Sequence, residues 1–106
     1  MSAKIDNRAY TAQEVKDMFL RSMKHLCVYW SDSSVAPEKN IRERMEGLCF
    51  SILTTLDGCA LELPRFKIVL DPHPDDKQFH IDEGEKYFKP GMEINKNSAL
   101  HEEWFK

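Results

Sequence analysis

The densest collection of chemically capable side chains is the run Asp71-Pro72-His73-Pro74-Asp75-Asp76, with one imidazole and three carboxylates in six residues. An imidazole and a carboxylate leave open positions on a zinc ion, and a neighbouring carboxylate can take the proton of a metal-bound water. A third ligand would have to come from His80 or His101. A competing reading needs no metal: Pro72 and Pro74 stop a strand, and Asp75 and Asp76 sit at a helix N-terminus, where carboxylates are favoured. On that reading no metal and no cofactor is expected. Other groups offer less. Cys59 follows Gly58 in a loop, but Asp57, its near neighbour, has the wrong sign to activate a thiol. His25 is an isolated helical histidine. Asp82-Glu83-Gly84-Glu85 lacks the alternating oxygen ligands of an EF-hand loop and reads as a solvated turn.

The run 72–76 resembles the strand-end motif of the zinc-dependent N-acetylglucosaminyl de-N-acetylases, Pro-His-Pro-Asp-Asp followed by Glu. That resemblance implies His73 and Asp76 as zinc ligands and Asp75 as the base; it supplies no third ligand, for which His80 is the candidate taken up in the hydrolase alternative. Lys77 stands where that family has Glu, no glycine-rich stretch follows, and only residues 66–106 remain to build its fold. A second resemblance covers more of the chain. Arg44-Met45-Glu46-Gly47-Leu48-Cys49-Phe50-Ser51-Ile52-Leu53, Leu56-Asp57-Gly58, the run 72–76 and Leu100-His101-Glu102-Glu103 together look like a small uncharacterised bacterial and phage-associated family. No activity attaches to it. It implies an accessory role in a phage or other mobile element.

The elements that must position these groups begin with a chain of 106 residues, 42% hydrophobic and 31% charged, enough for one domain without a metal or disulfide. Three cysteines with no Cys-x-x-Cys spacing read as reduced thiols, and with no apolar leader segment they suggest a cytoplasmic protein. The net charge of −3 is uneven: residues 57–106 hold seven Lys/Arg against eleven Asp/Glu. An acidic half with no basic stripe argues against nucleic acid as a partner. No apolar run is long enough to span a membrane.

Thr11-Ala12-Gln13-Glu14 is a capping box, and Val15, Met18, Phe19, Met23, Leu26 and Trp30 follow at three- and four-residue spacing, with Leu20 widening the face. This predicts a helix over 12–30. Pro37 suits the first position of a second helix over 37–56, whose apolar face would be Ile41, Met45, Leu48, Cys49, Ile52, Leu53 and Leu56, with Arg44 on the charged outer side. Asp57-Gly58 ends it. Phe66-Lys67-Ile68-Val69-Leu70 reads as a strand and Met92-Glu93-Ile94 as a second. Asp75-Asp76 opens a short helix, and Ser98 caps a last turn carrying Leu100, Trp104 and Phe105.

The expectation is an α+β domain over residues 1–106. An antiparallel helical hairpin (10–58) packs against a small irregular C-terminal segment (59–106) with two or three short strands. The expected function is that of a non-catalytic interaction or accessory protein. Its partner is a protein or a second copy, met through Trp30 and Leu20 on the first helix or Trp104 and Phe105 at the C-terminus. The alternative is a small metal-dependent hydrolase built on His73, Asp75, Asp76 and His80.

Overall fold

A computed structural model describes residues 8–60 and 62–105. Its helices are α1 (Ala12–Ser31), α2 (Ile41–Leu56), α3 (Asp76–Asp82) and α4 (Leu100–Glu103). The chain divides into two compact units between Ile52 and Leu53. Among the described residues helix accounts for 48% and strand for 2%, with no sheet, so the expected α+β class is not found.

The first unit is a helical hairpin. α1 starts where the capping box places it: the Glu14 amide donates to Thr11 Oγ1 at 3.1 Å and the Thr11 amide to Glu14 Oε1 at 2.8 Å. Arg8 adds a forked pair of bonds to the same carboxylate, at 2.6 and 2.9 Å. The Arg8 guanidinium, then the Thr11 amide, hold the Glu14 carboxyl down at about 2. α2 begins four residues later than Pro37 suggests. Asn40 forms its own box there, accepting from the Glu43 amide at 2.8 Å while the Glu43 carboxylate accepts from the Asn40 amide at 3.0 Å. That reciprocal pair satisfies two orphan donors at Asn40, whereas Pro37 offers none.

α2 ends at Leu56 and is closed by Gly58, as expected. Gly58 has φ +81°, the Cys59 amide donates to the Thr54 carbonyl and the Gly58 amide to that of Thr55, which is the Schellman pattern. The segments read as strands at 66–70 and 92–94 do meet, but only as an isolated antiparallel bridge between Val69 and Glu93. The Leu70 amide donates to Met92, Gly91 to Leu70, and Ile94 to Ile68, each at 2.9 Å. Beyond these rungs a side chain replaces the ladder. Asn95, fully buried, accepts from the Ile68 amide at 2.9 Å and donates to the Phe66 carbonyl at 2.7 Å. The Phe66 amide turns away to the Leu56 carbonyl. A primary amide has the donor and acceptor of one peptide group but no next residue to carry the pairing on, so the β-rich run never becomes a strand.

Candidate interaction surface

The hairpin is locked by a tryptophan, and that residue decides which side of α2 faces inward. Trp30 is half-buried, and its indole lies over Gly47. A Cβ placed on Gly47 would fall 2.6 Å from two atoms of the ring, so only glycine admits this approach. The indole N–H donates to Ser51 Oγ at 2.9 Å. One turn earlier, Arg44 reaches back over the end of α1, donating to the carbonyls of Trp30, Asp32, Ser33 and Ala36 at 2.7–3.3 Å. These include carbonyls that a helix end leaves without partners, and α1 has no basic residue of its own in the last turn. Asp32 closes the same loop by accepting from the Ser34 amide and hydroxyl; those bonds, then the charge of Arg44, lower its carboxyl below the ordinary range.

Arg44, Gly47 and Ser51 thus line the inward face of α2 at three- and four-residue spacing, and the face expected to be apolar is split: Leu48, Ile52, Leu53 and Leu56 are half-buried, while its Ile41, Met45 and Cys49 edge turns outward. The rotation exposes Ile41 (78%) and Met45 (63%), with Cys49 one turn on. Beside them on α1 Cys27 is exposed as well, and so is Leu20 two turns earlier. Cys27, Trp30 and Ser31 on α1 and Ile41, Arg44, Met45 and Leu48 on α2 line an open groove of about 300 Å³. No residue of α1 is fully buried, and on α2 only Thr55 is. Among the described residues Leu63 is the one apolar side chain that is fully buried.

Compared with protein-family models, curated proteins and solved structures, the chain matches none. Among the described residues no helix is long and apolar enough to cross a membrane.

The residues singled out from sequence fall into separate places. Trp30 lines the groove, and Leu20 lies seven residues before Cys27, on the same side of α1. Trp104 and Phe105 follow α4 in the second unit and are exposed, Phe105 the more so at 80%. His73, Asp75 and Asp76 form a turn closed on itself. The Asp76 carboxylate accepts from the His73 amide at 3.2 Å, the Asp76 amide donates to the His73 carbonyl at 3.0 Å, and His73 Nδ1 accepts from the Asp75 amide at 3.1 Å. His80 is set apart, its ring edge-on to Phe79 and Phe88 and its Nδ1 buried 3.6 Å from Glu85. Among the described residues no three His, Cys, Asp or Glu side chains converge on one point.

Sequence reasoning missed one constellation. The Asp57 carboxylate, 2% exposed, accepts from the Leu100 and His101 amides at 2.9 and 2.8 Å and meets His101 Nδ1 at 2.6 Å. An ionised carboxylate only accepts, so Nδ1 carries the proton. Burial pushes the Asp57 carboxyl up, but the bonds from His101 and Leu100 outweigh it and hold it below its ordinary value. Ser98 was expected to cap this last helix; no side chain at its own N-cap does so, and Asp57 takes the role from far back in the chain. Asp57 also borders an open, mixed-charge cleft of about 590 Å³ with Arg65, Lys67, Glu93 and Lys96. Three bonds already occupy this carboxylate, and they hold α4 in place.

Proposed function

We propose that this chain is a non-catalytic interaction or accessory protein, and that the groove between α1 and α2 is where its protein partner sits. The observation that carries this reading is the exposure of Ile41 and Met45 on a helix pair that has no fully buried apolar residue. Apolar surface of this kind, rimmed by charge, is characteristic of binding faces. Fully burying side chains of this type contributes about 1.5–3 kcal/mol each, which two helices alone leave unused. A role in a phage or other mobile element belongs to the same reading, motivated by the sequence resemblance.

Ile41→Asp tests it. A carboxylate in the first turn of a helix is favourable, so the variant keeps its helical circular dichroism. Immobilised wild-type chain is expected to retain a defined protein from its host, a copy of itself included, that the variant does not. Equal retention by both would overturn the reading.

A further inference from the structure

We propose that the mixed-charge cleft of the second unit binds a small phosphorylated polyol of the sugar phosphate class, with Lys67 and Lys96 on the phosphate. The groove between α1 and α2 plays no part in this site.

The cleft lies wholly within residues 53–106. Its volume of about 590 Å³ falls inside the range of about 300–1,000 Å³ that small-molecule sites occupy. Three cations and three carboxylates line it, and half of them are already committed within the fold. Asp57 is taken by α4. The Arg65 guanidinium donates to the Asn95 carbonyl and lies 3.5 Å from the Glu93 carboxylate, so these two charges offset each other. Lys67, Lys96 and Glu102 remain. All three are exposed, and among the described residues none of them has an ion pair or a side-chain hydrogen bond. The cleft therefore keeps two ammonium groups that no carboxylate among the described residues neutralises.

The fold fixes where these two lysines leave the backbone. Asn95 bonds the Ile68 amide and the Phe66 carbonyl, on either side of Lys67, and Lys96 is the next residue after it. One buried amide thus ties both positions together. Only the side chains have to order when an anion arrives, which lowers the cost of binding.

The charges and the volume select the ligand. Two ammonium groups match a phosphate monoester, which carries about −1.5 to −2 at neutral pH, better than a single carboxylate. A phosphate group alone leaves most of the cleft unfilled. Beyond it Asn97, Ser98 and Glu102 present an amide, a hydroxyl and a carboxylate, all able to pair with hydroxyl groups. None of the described residues that line the cleft is aromatic, so a nucleobase finds no ring to stack on. A hydroxyl-rich body fits these walls.

Titration of the nitrogen-15-labelled chain at constant ionic strength tests this, with glucose 6-phosphate, inorganic phosphate and glucose as probes and the amide shifts as readout. Glucose 6-phosphate is expected to saturate, moving the Lys67, Lys96, Asn97 and Ser98 amides, and to bind about tenfold more tightly than inorganic phosphate. Lys67→Gln and Lys96→Gln should each weaken it by about tenfold, as for the loss of one hydrogen bond to a charged group. Glu102→Gln should tighten inorganic phosphate by about threefold, because it removes the one uncommitted negative charge of the cleft. The Ile68 amide shift, set by Asn95, reports whether each variant keeps its fold. No saturation, or equal affinity in glutamine variants that keep the Ile68 shift, overturns the site. Should those variants lose that shift, an unchanged phosphate affinity in Glu102→Gln overturns it instead. Inorganic phosphate bound as tightly as glucose 6-phosphate overturns the polyol, and glucose bound as tightly overturns the role of the lysines.

Discussion

The two halves of this chain solve the same problem in opposite ways. In the hairpin, α1 and α2 satisfy their own backbones, so caps and one arginine at the loop are enough, and the helix sides are left for contacts. From Leu53 onward little of the backbone is regular, and polar side chains are buried to serve it: Asn95 is 0% and Thr55 3% exposed, and Asp57 caps the last helix. Regular structure frees side chains for partners, whereas irregular structure consumes them. The first half therefore carries the face proposed for docking. The second half is held by groups that look catalytic in type and are structural in use.

The sharpest way to break this comparison is at Asn95. Asn95→Ala removes the partner of the Ile68 amide and of the Phe66 carbonyl and leaves both in a buried site. Each stranded group costs about 1–3 kcal/mol, so a loss of about 3 kcal/mol or more is expected in urea unfolding, with faster exchange of the Ile68 amide. A loss below about 1 kcal/mol would show that the second half does not depend on its buried amide. Gly47→Ala probes the first half, and two effects compete there. Alanine favours a helix interior by about 1 kcal/mol over glycine. Its Cβ would fall 2.6 Å from the Trp30 ring, and overpacking costs about 1–3 kcal/mol. The indole is held by its bond to Ser51, so the clash wins and the melting temperature falls. A more stable Gly47→Ala chain would remove the seat that turns Ile41 and Met45 outward, and the groove with it.

What was legible in the sequence follows the same division. The box at Thr11 and Glu14 and the stop at Gly58 are local, set by residues three or four apart, and both stand. The start of α2 is local as well, set by Asn40 and Glu43 three residues apart, four residues past the point that Pro37 indicates. The rotation of α2 was not legible from hydrophobic spacing, because a large ring with one N–H chose a glycine and a serine over the apolar stripe. Strand periodicity at 66–70 was genuine, and nothing in it reveals that Asn95 would end the pairing. The Asp57–His101 contact joins residues 44 apart, beyond the reach of any local pattern.

That contact gives the last and smallest expected effect, and its sign can be worked out. The folded chain holds the Asp57 carboxyl below its ordinary value, which is about 3.9 in an unfolded chain. Between those two values the unfolded chain binds more protons than the folded one, so stability rises with pH there. The contribution of Asp57 is fully present above about pH 5 and is lost as pH falls through the lowered value. Glu14 and Asp32 are shifted the same way, and their contribution lies in the same acid range. A local reading is therefore needed. Exchange of the Leu100 and His101 amides should quicken as the pH is lowered, ahead of amides elsewhere in the second half, since these two donate to Asp57 itself. The loss should be smaller than at Asn95, because a protonated carboxyl keeps an acceptor oxygen. Asp57→Asn should flatten the acid response of these two amides and leave that of the Thr11 and Glu14 amides unchanged. Were the two sets to respond alike, α4 would not be held by this carboxylate, and the second half would owe its order to something other than its buried polar groups.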